Sequence, residues 1–303
     1  MSKQSKRIIY YYQTFTSLTP ILHNNPETTH IHISSIHFGN NSDETPYIHL
    51  NDNNPDDKIF DTVWMDIKEA HQLGITIILM IGGAGGAFTC LFSNFDVYYN
   101  LLKNTLNNHP EITGIDLDIE EDVLLDNVRM LIKRLKQDFP DFIIAMAPIP
   151  SSLSSDQPGL GGFSYKDLYN SPEGQLINYF NGQFYGSFGV QDYIDCINNG
   201  YPEDKVVMGM IYGQDFNQVC QTLSNLLEKY PDIGGTFIWE YFQSPPDGQT
   251  NPGEWSKVIN KIFNGVEVPK GIEVPKDIEV PKGVSWYDIS INIFRNIKKL
   301  LVG

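Results

Sequence analysis

Apolar and polar positions follow two periods along this chain. Short runs rich in Ile, Val, Leu and Tyr occur at Arg7–Tyr12, His30–Phe38, Ile75–Ile81, Gly114–Glu120, Ile143–Pro148, Gly182–Tyr185, Val206–Tyr212 and Gly235–Phe242. Runs of this length and composition predict strands. Between them lie stretches with apolar residues at helical spacing: Ile59–Gln72, Phe95–Asn107, Leu124–Phe139 and Gln214–Lys229, with a last one at Glu254–Phe263. Val128, Leu131, Ile132 and Leu135 follow i, i+3, i+4, i+7, the mark of one buried helical face. Strands alternating with helices predict a parallel sheet, and eight such units predict an α/β fold of the closed (β/α)8, TIM-barrel type. A doubly wound open sheet is the rival, weakened because no phosphate-binding glycine turn follows the first strand.

Two stretches stand outside the alternation. Residues 39–58 are rich in Asn, Asp and Pro and read as a long loop. From residue 266 a hexapeptide of the form Val/Ile-Glu-Val-Pro-Lys-Gly/Asp runs three times. Its prolines forbid a helix and favour an extended, semi-rigid spacer. Ile289, Ile293, Ile297 and Leu300 then share one helical face, behind a capping-box pair, Ser285 and Asp288. The expected division is a catalytic barrel over residues 1–264, a spacer over 265–284 and an amphipathic helix over 285–303. That helix reads as docked on the barrel wall. Arg295, Lys298 and Lys299 beside its apolar face make a partner-binding or membrane-surface helix the alternative.

Composition narrows the function. The 303 residues suit two ordinary domains or one large barrel, and 41% hydrophobic residues are enough for a real core. Lys and Arg total 21 against 37 Asp and Glu, a formal charge of −16. That excess of acid argues against nucleic acid, anionic membrane surfaces and polyanionic substrates, and favours a neutral substrate. Cys90, Cys196 and Cys220 form no CxxC pair, so neither a disulfide framework nor a zinc site is expected, and no cofactor is expected. The basic start lacks the long apolar stretch and cleavage site of a signal peptide, so the chain as given is expected in the cytoplasm, with secretion or release by another route as the alternative. No run approaches the ~20 apolar residues of a membrane span.

The chemistry concentrates in Thr113-Gly-Ile-Asp-Leu-Asp-Ile-Glu120. Residues two apart on a strand share a face, so Asp116, Asp118 and Glu120 point into the barrel while Ile115, Leu117 and Ile119 face the helices. Burying three carboxylates is costly and raises their proton affinity, so a purely structural role is a poor explanation. Glu120, at the C-terminal end of its strand, lies where barrels carry their active sites and suits a general acid. Asp118 shares its strand and is poorly placed to attack the far face of a sugar, which leaves a nucleophile supplied by the substrate itself.

The run resembles the Asp-x-x-Asp-x-Asp-x-Glu signature of glycoside hydrolase family 18, the chitinases and their relatives. Asp116, Asp118 and Glu120 match its last three acids, and Thr113 stands in place of the first. Leu79-Met80-Ile81-Gly82-Gly83 is similar to the family's Ser-x-Gly-Gly strand, with Met80 in place of Ser. Met146-Ala147-Pro148, Gln183-Phe184-Tyr185, Met210 to Tyr212, and Phe237-Ile238-Trp239-Glu240-Tyr241 resemble its fifth to eighth strands. The resemblance implies substrate-assisted, retaining cleavage of β-1,4 bonds beside N-acetylglucosamine, in chitin, peptidoglycan or N-glycan cores. Glu120 would protonate the leaving oxygen, Asp118 would orient the 2-acetamido group, Asp116 would tune Asp118, and Tyr185 would donate to the acetamido oxygen. Gln183 and Trp239 would hold the sugar, and Tyr10, Met146 and Tyr212 are expected to line the site. Glu121 and Glu240 have the wrong parity for the interior and read as surface or supporting groups. About 22 residues separate Tyr212 from Gly235, too few for the α+β subdomain that longer relatives insert there. A non-catalytic, carbohydrate-binding relative and a structural or inhibitor protein are the alternatives.

Overall fold

A computed structural model describes residues 6–266. Most of the expected spacer and all of the expected terminal helix lie outside the described residues. Eight parallel strands form the barrel: β1 (Arg7–Tyr12), β2 (His30–Asn40), β4 (Thr76–Gly82), β5 (Ile112–Asp118), β6 (Ile143–Met146), β7 (Tyr179–Gln183), β8 (Val206–Ile211) and β9 (Gly235–Trp239). The ring closes because β1 pairs with both β9 and β2. The larger helices between strands are α1 (Asp61–Gln72), α3 (Phe95–Asn108), α4 (Leu125–Asp138), α7 (Val190–Asn198), α8 (Phe216–Lys229) and α9 (Glu254–Phe263). Shorter ones are α2 (Phe88–Ser93), α5 (Pro150–Ser154) and α6 (Tyr165–Tyr169). Among the described residues no helix is long and apolar enough to cross a membrane.

Local chemistry accounts for these elements. In α4 the residues Val128, Leu131, Ile132 and Leu135 are all buried, as their spacing demands. Asp215 caps α8, its side chain accepting the backbone N–H groups of Asn217 and Gln218 at 3.0 and 3.2 Å. Two layers of buried side chains result. The large one lies between strands and helices and includes Ile115 and Leu117 of β5 with Leu131 and Leu135 of α4. The small one fills the barrel and comprises Ile9, Tyr11, Met80, Ala145, Tyr179, Val207 and Phe237.

The stretch at 39–58 is not one long loop. β2 continues to Asn40, and β3 (Pro46–Leu50) returns antiparallel to it, pairing His37 with His49 and Phe38 with Ile48. The Asn- and Asp-rich composition belongs to the turns on either side of this short strand. The sixth barrel strand also sits earlier than the sequence suggested, ending at Gln183, so Tyr185 stands beyond it.

Candidate active site

β5 delivers its carboxylates as strand parity requires. Asp116 and Asp118 point inward, paired in register with Met80 and Gly82 of β4, and Glu120 stands just past the strand end. Close approach at this edge needs glycine. A Cβ on Gly82 would lie 2.3 Å from the Asp118 carbonyl oxygen, and its φ of +95° is the left-handed region. Above the strands opens a cleft of about 710 Å3, lined by Asp118, Glu120, Gln183, Tyr185 and Trp239, the glycine turn after β4, and the β2–β3 hairpin through His37, Tyr47 and His49.

Gln183 ties the acids together. Its Nε2 lies 3.0 Å from Asp118 Oδ1, 3.1 Å from Glu120 Oε1 and 2.8 Å from the Ala147 carbonyl. Two amide hydrogens serve three acceptors, so at least one is shared. Burial first, then the charges of Glu120 and Asp116, holds the Asp118 carboxyl well above the usual carboxylate range, against the pull of Gln183. Burial also raises Glu120, with Gln183 opposing. Both groups therefore hold a proton to higher pH than a solvated acid, the state a general acid needs. Tyr185 is likewise raised well above its ordinary value by burial and by the nearby carboxylates, which keeps its hydroxyl a donor. Gln214 fixes it by donating to the Phe184 and Tyr185 carbonyls at 2.9 and 3.0 Å.

Asp116 lies deeper and is fully buried. Its Oδ2 accepts the Tyr11 hydroxyl at 2.6 Å and lies 2.9 Å from His32 Nδ1, while Oδ1 has no hydrogen-bonding partner among the described residues. Asn181 Nδ2 donates to the Tyr11 oxygen at 2.9 Å. Tyr11, His32 and Asn181 are thus part of the site, and sequence reasoning missed all three. His32 carried a signal, the alternation of His30, His32 and Ser34 with Ile31 and Ile33 along β2. Met80 fills the barrel beside Asp116 and takes the Ser34 hydroxyl on its sulfur at 3.1 Å.

Three expected site residues are placed elsewhere. Tyr10 points outward, not into the cleft: its hydroxyl donates to the Pro252 carbonyl at 2.7 Å and its ring meets Trp255 and Tyr241. β1 runs with the opposite phase, so Tyr11 is the inward residue. Met146 also belongs to the outer layer, because its partner in register, Leu117, faces the helices; Ala145 faces in. Tyr212 continues the outward parity of Met208 and Met210 and does not line the cleft. Glu240 is buried rather than surface. It accepts the Thr14 hydroxyl at 2.6 Å and the Gln13 amide at 3.3 Å, pinning the loop after β1 behind Trp239. Glu121 turns away from the other acids and accepts the amides of Ala87, Phe88 and Thr89 at the start of α2, which fixes the glycine turn. Among the described residues no group of His, Cys, Asp and Glu is arranged to hold a metal ion.

No protein-family model matches the chain, and no curated protein matches it in sequence. Solved structures do. A fungal endo-β-N-acetylglucosaminidase of glycosyl hydrolase family 18 is 31% identical, over 86% of this chain and 99% of its own, with a TM-score of 0.79. A chitinase from Aspergillus fumigatus is also 31% identical, over 83% of this chain and 97% of its own, with a TM-score of 0.74. A chitinase from Pseudoalteromonas aurantia shares the fold at 18% identity and a TM-score of 0.68, over 85% of this chain and 100% of its own. With this identity along nearly the whole barrel, and with the ordered acids of β5 at the cleft floor, the chain belongs to glycoside hydrolase family 18.

Proposed function

We propose that the protein hydrolyses β-1,4 bonds next to N-acetylglucosamine, with retention and with the substrate's acetamido group as nucleophile. The observation that carries this reading is the single amide, Gln183 Nε2, bridging Asp118 and Glu120 beneath the cleft. It sets an acid and a second carboxylate on the same side of a bound sugar, leaving the opposite face to an internal nucleophile.

The step proceeds as follows. Glu120 gives its proton to the glycosidic oxygen as the acetamido oxygen attacks C1, and the aglycone departs as an alcohol. Tyr185 donates to the attacking oxygen and holds the group in line. Positive charge spreads over the cyclic intermediate, and Asp118 answers it by passing its proton to Asp116, becoming the facing carboxylate. Water then adds to C1 and returns a proton to Glu120, Asp116 hands its proton back to Asp118, and the retained product leaves. The half-buried Trp239, 5.3 Å from the Tyr11 ring, offers an aromatic floor for the sugar.

Hydrolysis of N-acetylglucosamine oligomers tests this. The native chain should turn them over, and Glu120→Gln should lose about 10³-fold or more in kcat while still binding. Turnover that persists in the variant rejects the mechanism. A carbohydrate-binding role without catalysis is the second reading, favoured by Thr113 and Met80 at motif positions; binding without turnover from pH 4 to 9 would establish it.

A further inference from the structure

Beneath the carboxylates the barrel holds a buried polar column that the proposed reaction leaves unused. His32 of β2 is fully buried, with Nδ1 2.9 Å from Asp116 Oδ2 and Nε2 3.1 Å from the Tyr179 hydroxyl. Below it, the Arg7 guanidinium stands 4.2 Å from the Tyr179 ring centre and donates to the Asp204 and Gly234 carbonyls at 2.9 and 3.1 Å. Side chains run without a break from the bottom of the barrel to the acids of β5.

Hydrogen accounting fixes the imidazole. Asp116 Oδ2 accepts the Tyr11 hydroxyl at 2.6 Å, so the oxygen offers a lone pair and not a hydrogen to the imidazole, and Nδ1 is the donor. Nε2 then presents a lone pair to the Tyr179 O–H. Were Nε2 to carry the hydrogen instead, that buried hydroxyl would have no acceptor among the described residues, a costly state. Met80 opposes Asp116 on β4 but can donate nothing, because a thioether carries no hydrogen.

We propose that His32 is a positioning residue for the reaction: held by Tyr179 with its hydrogen on Nδ1, it anchors Asp116 Oδ2 and leaves Oδ1 as the atom that exchanges a proton with Asp118. The inference rests on the glycosidase reading above. The titratable groups around His32 are Tyr11 from β1, His30 from β2, Asp116 from β5 and Tyr179 from β7, with Arg7 of β1 behind the Tyr179 ring; β4 sets the uncharged Ile78 in register with it. His30 is held well below its ordinary value by burial, then by His32 and Arg7, so it adds no charge to the column. Arg7 is the fixed cation at its base.

Kinetics of two variants separate positioning from mere packing. Asn at position 32 keeps an N–H near Nδ1, and Leu removes it. His32→Leu should lower kcat on N-acetylglucosamine oligomers by about 10–100-fold with KM changed less than about threefold. With one donor to the Asp116 carboxyl gone, the acid limb of the pH profile should move up. His32→Asn should recover kcat to within about fivefold of native and restore the limb. A His32→Leu profile that overlays the native one, or a His32→Asn variant as impaired as His32→Leu, overturns the proposal. An unreactive native chain would instead reject the glycosidase reading, and a second measurement does not need turnover. The ¹⁵N imidazole spectrum of the native chain at neutral pH should show His32 with its hydrogen on Nδ1, and Tyr179→Phe should give mixed tautomers. A native Nε2–H tautomer, or a spectrum that Tyr179→Phe leaves unchanged, overturns the proposal.

Discussion

The two faces of β5 meet opposite surroundings across one backbone. Ile115 and Leu117 enter the apolar layer under the helices, while Asp116 and Asp118 enter a barrel that supplies Tyr11, His32 and Gln183 as donors. A carboxylate that meets these donors on the inner face would be buried without them on the outer one, among side chains such as Leu131 and Leu135. The strand is a scaffold with a shell on one side and the proposed reaction on the other, and the two can be broken separately.

The largest expected effect comes from moving a charge across that boundary. Leu117→Asp should cost more than about 4 kcal/mol and leave little soluble, folded protein, read as yield and as loss of the thermal transition. A well-folded Leu117→Asp variant would show that the outer layer is wetter than its burial implies.

Next comes Asp118→Asn, which should separate stability from activity. Its kcat should fall about 10²–10³-fold, because an amide cannot become the facing carboxylate. Its stability should move the other way. The folded state raises Asp118 well above its unfolded value, so the folded chain binds more protons. The stabilisation attached to that proton is complete below the unfolded value and lost as pH rises through the folded one. Asn carries no such penalty, so Tm of the variant should exceed native by a margin that grows from acid to alkaline pH. Each kcal/mol corresponds to about 2–4 °C in a chain of this size. A margin that shrinks with pH contradicts the assignment.

The smallest effects sharpen the Tyr10 and Tyr11 pair. Tyr10→Phe takes one of two donors from the Pro252 carbonyl, which keeps the Ser244 hydroxyl at 3.3 Å, and the acceptor from the Ser256 amide, and should cost about 1–3 kcal/mol in urea melts with kcat unchanged. Tyr11→Phe removes a donor from Asp116 and should lower kcat about tenfold. Equal kcat for the two variants would mean that the inward phase of β1 has no part in the chemistry.

That pair also marks the limit of what the sequence made legible. Asp116, Asp118 and Glu120 were readable because alternating acids and aliphatics fix both the strand and its phase, whereas Gln183, Tyr185 and Trp239 were reached only through the likeness of their strands to the family's. β1 reads Ile8-Ile9-Tyr10-Tyr11-Tyr12, apolar on both faces, so nothing local says which tyrosine points in. Met146 failed for the same reason within Ile143-Ile144-Ala145-Met146. The hairpin wall of the cleft was hidden because five strand residues lie inside a turn-rich stretch, and strand pairing is a non-local event.

By itself the sequence determined the barrel, the order of its elements and the shared face of the three acids. These follow from the periods of two and 3.6, which are properties of the chain over a few residues. Only the tertiary structure decided the absolute phase of strands buried on both sides, the meeting of His32 with Asp116, and the bridge from Gln183 to Asp118 and Glu120. Those contacts join residues tens of positions apart. Closing the ring of strands sets them, because closure fixes every strand's register against its neighbours.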